Sequence, residues 1–327
     1  MAITIADMAA LPSARVSRVL LREATKADLD PSAKDDGHPT FERIDFSSAV
    51  PVDLLGLRGS MAFNSSTRYE LNGGHLENAG DRAVLVQTKG NLQRLLKAGL
   101  KLEQQLSEAQ LQPGCFGENL FVDGESFDAA TLCVGDVLRG WRDDRPTELR
   151  LQIASPRCPC GKVDEKLGKT CTLNGVRAHC ARTGLAGFFL RTLSKGDIQD
   201  GDVLKVVERP HPEWTLSRVS HLIYGNDKAV MQYLLRSRKA AKDLKTPVIL
   251  REEFMGSQSE LEELATLEAL AIFEWREYLV QMLGQAPIGR YKAKSRRRSP
   301  AKWILVAVIS VTALAVLRRR KRDWLSC

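Results

Sequence analysis

The chain has 327 residues, which is long enough for two modest domains and a sizeable buried core. Its charged fraction of 27% and hydrophobic fraction of 43% are ordinary for a globular protein. The formal net charge is +8, but residues 290–327 contain twelve Lys/Arg and one Asp, a net of +11, so residues 1–289 carry −3. A slightly acidic body gives no support to nucleic-acid binding, and we expect no nucleic-acid partner.

The cysteine content predicts free thiols. There are seven cysteines, an odd number, and the first thirty residues contain no apolar segment typical of a secretory signal. We therefore expect reduced thiols in a protein that faces the cytosol. The cysteines are Cys115, Cys133, Cys158, Cys160, Cys171, Cys180 and Cys327.

The first two thirds of the chain predict an α+β fold built on a β-barrel. Residues 1–45 are mixed and polar, with short strands predicted at Met1–Ile5 and Val16–Leu21, and partly join the barrel. Residues 46–210 alternate strand-like segments with glycines, which predicts a closed or nearly closed barrel with helices packed outside. Its predicted strands are Val52–Leu57, Ala83–Thr88, Leu120–Val122, Val137–Leu138, Leu149–Ile153 and Val203–Val207.

Helical periodicity appears once inside the barrel region and again after it. Leucines at helical spacing predict a helix over Asn91–Gln110. Residues 211–286 predict a three-helix domain, with two short helices on either side of Gly225-Asn226. A longer helix, capped by Ser259, has an apolar side from Leu261 to Leu279. That side is either a docking platform or ordinary core packing.

The C-terminal end predicts a membrane anchor. Residues 287–300 form a basic linker, 301–317 an apolar segment and 318–327 a basic tail. The uncharged part of the apolar segment would span about 22 Å as a helix, against a hydrocarbon core of about 30 Å. We expect a single-pass tail anchor through residues 301–317, with the body in the cytosol and the mitochondrial outer membrane or the peroxisome as the favoured membrane. A buried helix is the alternative.

The segment Ser155–Lys162 concentrates chemically unusual residues. Two cysteines, two prolines and a glycine lie within eight residues, which predicts a loop rather than a helix or central strand. Arg157 and Lys162 flank the two thiols. Nearby positive charge favours the thiolate, the form that attacks electrophiles and binds metals. The alternative is a proline-rich turn with buried, inert thiols.

Five segments, in the right order, resemble the MOSC domain, which is named for the C-terminal domain of molybdenum cofactor sulfurase. The resemblance spans about residues 45–285 and is greatest to the branch that has an additional three-helix domain and includes bacterial 6-hydroxylaminopurine reductases. The segments are Pro113-Gly-Cys-Phe-Gly-Glu-Asn-Leu120, Pro156-Arg-Cys-Pro-Cys-Gly-Lys162, Gly187-Phe-Phe-Leu-Arg-Thr-Leu-Ser-Lys-Gly196, Gly201-Asp-Val-Leu204 with Arg209-Pro-His-Pro-Glu-Trp-Thr215, and Phe273-Glu-Trp-Arg-Glu-Tyr278.

One departure concerns a histidine. The family has His-Gly-Gly before an Asp-Lys/Arg-Ala-Val strand, whereas here Gly80-Asp-Arg-Ala-Val84 follows Glu77-Asn-Ala79. His75 is nearby but out of register, which leaves its role in cofactor binding open.

The resemblance implies a molybdenum–pterin cofactor whose metal takes a thiolate from Cys160 rather than Cys158. Soft thiolate donors suit such a centre. Arg157 and Lys162 would then hold the terminal phosphate of the pterin.

Three further residues are candidates for the same site. Asn119 either bonds the polar edge of the pterin or caps a turn, and Glu118 is expected to order the loop rather than transfer protons. Arg191 is expected to reach the cofactor cavity from the neighbouring strand.

The reaction implied by the family is two-electron reduction of an N-hydroxylated compound, such as a hydroxylaminopurine, an amidoxime or a hydroxylamine. No flavin, haem or iron–sulfur motif is evident, so we expect a separate flavoprotein or haem reductase to supply electrons. A sulfur or cofactor carrier with a persulfide on Cys160 would use the same residues. Zinc held by Cys158, Cys160, Cys171, Cys180 and His179 fits known spacings poorly, and a Cys158–Cys160 disulfide is sterically tight.

Overall fold

The computed structural model describes residues 11–21, 44–58, 80–100, 106–167, 173–236, 251–271 and 275–285. The chain divides into two compact units, Met1–Gly289 and Arg290–Cys327, and all described residues belong to the first. The strand predicted at Met1–Ile5, the predicted anchor at 301–317, His75 and Cys171 lie outside the described residues.

Seven strands form a closed barrel. The strand order is β11-β7-β8-β9-β5-β6-β1, and pairing of β1 with β11 closes it, which confirms the predicted barrel. Neighbouring strands are antiparallel except β5 and β6, which are parallel. The described strands are β1 Ser13–Leu21, β2 Ile44–Asp45, β3 Val50–Asp53, β4 Gly56–Leu57, β5 Val84–Thr88, β6 Leu120–Asp123, β7 Val137–Arg142, β8 Arg145–Pro156, β9 Phe188–Ser194, β10 Gly196–Ile198 and β11 Val203–Glu208.

Two predicted segments have different boundaries in the structure. The predicted strand Val52–Leu57 is a hairpin of β3 and β4, because residues 54 and 55 turn. The Ser155–Lys162 segment is only partly a loop. Its first two residues end β8, where Pro156 pairs with Phe188 at the strand terminus, a position that tolerates proline. Its last two residues begin a helix, so the loop is restricted to residues 157–160.

Seven α-helices are present in the described part of the chain. The prediction of one helix over Asn91–Gln110 is wrong in extent: α1 ends at Lys97, and residues 106–110 form a turn. Gly99 has a φ of +59°, a left-handed conformation that ends a helix. The helices are α1 Lys89–Lys97, α2 Gly161–Leu167, α3 Val176–Thr183, α4 Leu216–Tyr224, α5 Asp227–Arg236, α6 Gln258–Thr266 and α7 Glu277–Met282.

Four helices, α4 to α7, lie in the segment that was predicted to form a three-helix domain. Helices α4 and α5 lie on either side of Gly225-Asn226 as expected, but the longer predicted helix is divided into α6 and α7. The cap of α6 is Ser257 rather than Ser259, because Ser257 and Glu260 form a reciprocal capping box. Leu261, Leu264 and Leu279 are fully buried, which favours core packing over a docking platform.

One continuous core joins the barrel to the helices. Trp214 and Trp275 are buried, and the indole of Trp214 donates a hydrogen bond to Glu263 at 2.9 Å. The backbone N–H of Ala271 donates to the carbonyl oxygen of Ala154 at 2.8 Å, which attaches the helical segment to β8 close to its end. The helices therefore support the strand that precedes the cysteine loop.

No helix within the described ranges is both long enough and apolar enough to cross a membrane.

Candidate functional site around Cys160

The loop after β8 exposes one thiol and buries the other. The N–H of Arg157 donates to the carbonyl oxygen of Gly187 at 2.9 Å, which fixes the start of the loop against the residue before β9. Cys158 is 8% exposed, and its Sγ lies 3.5 Å from the hydroxyl oxygen of Tyr224. Cys160 is exposed to solvent. Two residues on either side of a proline thus have opposite environments.

Cys160 is the one exposed thiol among the five described cysteines. Burial raises the pKa of Cys133 to about 12. Burial also raises the pKa of Cys115 and of Cys180 well above the ordinary range for a thiol. A buried thiol that stays protonated is a poor nucleophile and a poor metal ligand, so the structure favours Cys160 as the reactive cysteine.

Arg157 connects the cysteine loop to the loop before β6. Its side chain is buried, and Nη1 donates to the carbonyl oxygen of Phe116. Burial lowers the pKa of Arg157, and its electrostatic interactions with Cys160 and Glu118 oppose that effect. The guanidinium therefore lies within electrostatic range of the exposed thiol.

Glu118 orders the loop that Arg157 contacts. Its carboxylate accepts hydrogen bonds from the N–H groups of Gly114 at 2.6 Å and Phe116 at 3.1 Å. Burial raises the pKa of Glu118, while these backbone hydrogen bonds and the charge of Arg157 act in the opposite direction. The side chain closes a tight turn, as expected from the sequence.

Asn119 is anchored to β5 through its side chain. Its Oδ1 accepts from the N–H of Leu85 at 3.0 Å, and its own N–H donates to the Leu85 carbonyl oxygen at 2.8 Å. The side-chain oxygen of Asn119 therefore binds the backbone of a strand and does not cap a turn, which was the expected structural role. A contact between its amide nitrogen and a cofactor stays a prediction.

Lys162 and Arg191 occupy different parts of the molecule. Lys162 is half-buried in the first turn of α2, and no described carboxylate lies within ion-pair distance of it. Arg191 on β9 forms a 2.7 Å ion pair with Asp81 and donates to Gln152 at 3.3 Å. It also donates to the carbonyl oxygen of Glu268 at 3.3 Å, so its guanidinium joins β9 to β8, to the residues before β5 and to the segment after α6. Its contact with the cofactor stays a prediction.

Arg82 belongs to the site, although the sequence analysis did not select it. Its guanidinium lies 4.6 Å from the centroid of the Phe189 ring, and its positive charge further lowers the pKa of Arg157, which burial already lowers. The neighbouring Asp81 is held by Arg191. The sequence signal for Arg82 was its position in Gly80-Asp-Arg-Ala-Val84, the segment that in the family follows His-Gly-Gly.

Tyr233 and Arg177 also reach the loop from helices that follow it in sequence. The carbonyl oxygen of Pro159 accepts hydrogen bonds from the Tyr233 hydroxyl and from Arg177 Nε, the latter at 3.3 Å. Neither residue was selected from the sequence, because nothing in the local patterns of α3 or α5 indicates a contact with the cysteine loop.

Two cavities in the described part of the chain have no residue of the cysteine loop in their walls. The larger, about 570 Å³, lies at the start of α1, where Lys89 pairs with Asp123 and Arg94 with Asp128, both at 2.7 Å. Two of the three cations in its wall are therefore paired with carboxylates, and the third is Lys97. The smaller, about 320 Å³, includes His179 in its wall.

Residues 69–205 match the MOSC domain. This range contains Glu118, Arg157, Cys160 and every other site residue selected from the sequence. A protein named "Reductase" from Gibberella moniliformis is 32% identical over 110 residues, which are 34% of this chain and 18% of that protein. The uncharacterized protein YflK from Bacillus subtilis is 33% identical over 118 residues, 36% of this chain and 48% of that protein. The chain thus spans less than half the length of these curated relatives.

A solved structure supports the fold. The crystal structure of a hypothetical protein aligns with a TM-score of 0.51 at 16% identity, covering 84% of this chain and 91% of that one. At this identity the likeness concerns the arrangement of the barrel and its helices, and it indicates nothing about chemistry.

The side chains around the cysteine loop fit a molybdenum–pterin cofactor. The exposed Cys160 offers one soft thiolate donor, and Arg82, Arg157 and Lys162 supply positive charge for an anionic phosphate. Among the described residues, no group of three His, Cys, Asp or Glu side chains is arranged to hold a metal ion. A cofactor that brings its own metal ligands needs only one from the protein. Cys171, a member of the alternative zinc set, lies outside the described residues.

Proposed function

We propose that this protein is a molybdenum-cofactor-dependent reductase of N-hydroxylated compounds. The observation that supports it is that Cys160, the one exposed thiol among the described cysteines, lies within electrostatic range of the buried guanidinium of Arg157, in a region that matches the MOSC domain. MOSC domains are associated with the molybdenum cofactor, and one relative of this chain has the name "Reductase".

The reaction consumes two electrons and two protons and releases water, converting R–NHOH to R–NH₂. The chemistry that the cofactor supplies when bound is two-electron oxygen-atom transfer. In this proposal Cys160 serves as the thiolate ligand, while Arg157 and Lys162 hold the terminal phosphate.

Glu118 keeps the adjoining loop in place through its two backbone hydrogen bonds. Asn119 and Arg191 are proposed as further cofactor contacts.

Electron supply and location complete the proposal. A separate flavoprotein or haem protein is the proposed electron donor, because the sequence contains no motif for a second redox group. The apolar segment 301–317 is the proposed membrane anchor, with residues 1–289 in the cytosol. The mitochondrial outer membrane and the peroxisomal membrane are the proposed locations of this anchor.

A carrier function is the second candidate. The exposure of Cys160 favours it, since a persulfide on that sulfur would be accessible to another protein. The carrier and the reductase use the same cysteine, so a turnover assay separates them.

The test is reduction of a hydroxylaminopurine and of an amidoxime by the full-length protein, purified with its cofactor and supplied with electrons from reduced viologen. We expect loss of substrate with formation of one amine or amidine per two electrons, and no turnover in Cys160→Ser. Bound molybdenum without turnover on any N-hydroxylated substrate would favour the carrier and contradict the reductase.

A further inference from the structure

We propose that Tyr233 and Arg177 are positioning residues for Cys160, acting together on the carbonyl oxygen of Pro159. We call Pro159, Arg177 and Tyr233 the carbonyl clamp. Tyr233 lies on α5 and Arg177 on α3, so the proposal makes the helices after the cysteine loop part of the reactive site rather than an accessory domain.

The clamp holds the peptide group that precedes the reactive thiol. Both the Tyr233 hydroxyl and Arg177 Nε donate to the Pro159 carbonyl oxygen. That oxygen belongs to the same planar peptide unit as the nitrogen of Cys160, so fixing one fixes the other. The proline ring also restricts its own φ, which removes a second source of motion. The orientation of the Cys160 side chain is therefore set by two side chains that are distant from it in sequence.

The two donors are themselves held firmly. Arg177 is 1% exposed, and its Nη1 lies 3.1 Å from a carboxylate oxygen of Asp164 on α2. Its guanidinium carbon is 5.3 Å from the centroid of the Tyr233 ring. That ring packs against Tyr224, with 5.3 Å between centroids, and Tyr224 packs edge-on against Trp275. The clamp thus combines a buried ion pair with an aromatic stack.

The Pro159 carbonyl oxygen has more hydrogen-bond donors than it needs for the fold. A buried carbonyl oxygen is satisfied by one donor, and burying a guanidinium with its carboxylate is costly even when the two are paired. What the second donor adds is orientation: two donors from different helices fix the direction of the Pro159 carbonyl and with it the peptide group that leads into Cys160. The role of this orientation in turnover rests on the proposed function, whereas its effect on the thiol does not.

The test measures the electrostatic surroundings of Cys160 in the full-length protein without cofactor. Cys160 is alkylated with anionic iodoacetate and with neutral iodoacetamide at low ionic strength, and modification of the peptide that contains it is followed by mass spectrometry. A thiol held beside guanidinium groups favours the anionic reagent, so the ratio of the two rates reports its position.

We expect Tyr233→Phe to lower this ratio about threefold, because the released peptide lets the thiol move away from the cations. In the loaded enzyme kcat should fall with little change in KM. Tyr224→Phe is the matched control: it removes a hydroxyl from the same aromatic stack, but one that contacts Cys158, and the ratio should stay at the wild-type value.

A ratio in Tyr233→Phe within about 1.5-fold of wild type would overturn the proposal, as would an equal fall in Tyr224→Phe. A fall confined to Tyr233→Phe in a protein that shows no reductase turnover would instead support the clamp and contradict the proposed function.

Discussion

Cys158 and Cys160 show how one residue of separation can decide the chemistry of a thiol. The strand before them ends at Pro156, and Pro159 stands between them, so the alternation of the strand does not continue through the two thiols. Cys158 packs inward against Tyr224, whereas Cys160 is exposed. Only an exposed sulfur can contact a cofactor without rearrangement of the loop.

We predict that Cys160→Ser abolishes molybdenum retention and activity, while Cys158→Ser keeps most of both. Serine at position 158 loses a buried thiol contact and should cost about 1 kcal/mol of unfolding free energy. Metal content and turnover of both variants, with thermal melting as the control, are the measurements. If Cys158→Ser is folded but inactive and free of metal, then the choice of Cys160 over Cys158 as the metal ligand is wrong.

The site residues differ in how far sequence could predict them. Cys160 and Glu118 lie in short motifs that were selected by their resemblance to the MOSC family. Arg82 and Tyr233 approach the loop from positions about 75 residues away on either side, so only the folded barrel and helices bring them there. Arg157 was selected as a phosphate contact, but its burial and its bond to the Phe116 carbonyl oxygen depend on a second loop that no local pattern reveals.

At the scale of elements, Gly187 secures the contact between β5, β9 and the cysteine loop. Its φ is +93°, and a Cβ added there would lie 2.2 Å from the carbonyl oxygen of Val86. Its own carbonyl oxygen accepts from the N–H of Arg157. The close backbone approach at this position therefore requires glycine.

We predict that Gly187→Ala lowers the free energy of unfolding by about 3 kcal/mol or more, through steric overlap and left-handed strain together. Gly99→Ala is the matched control. Gly99 also has a left-handed φ, +59°, but nothing lies within 4 Å of an added Cβ. It should cost only about 1 kcal/mol in urea unfolding. Equal costs for the two variants would contradict the close approach seen at Gly187.

The ends of helices were set by glycine conformation and by the choice between capping residues, and hydrophobic periodicity reveals neither. The leucines after residue 91 continue at helical spacing, yet α1 stops at Lys97 where the backbone turns left-handed at Gly99. Ser257 and Ser259 are both able to cap α6, and the choice follows from Glu260, which can complete a capping box only with Ser257. The strands of the barrel were predicted more reliably, because each contains apolar residues either in alternation, as in β1, or in a short continuous run, as in β5.

At the scale of the whole molecule, the barrel and the helices after it share one core, while Arg290–Cys327 is a separate unit. Every described site residue lies in the first unit. The basic and apolar character of the second unit was readable from composition alone, and its proposed role as an anchor is independent of the site.

We predict that a chain ending before Pro300 is soluble without detergent and retains the activity of the full-length protein, because no site residue is lost. The full-length protein should stay with membranes after carbonate extraction, as expected for a spanning helix at residues 301–317. Release of the full-length protein by carbonate would contradict the anchor and leave the site unaffected.

The central claim is that Cys160 holds a molybdenum cofactor, and elemental analysis of the purified full-length protein tests it most directly. We predict about one molybdenum atom per chain, lost in Cys160→Ser and retained in Cys158→Ser. Zinc in place of molybdenum, or molybdenum bound equally well by Cys160→Ser, would contradict the account.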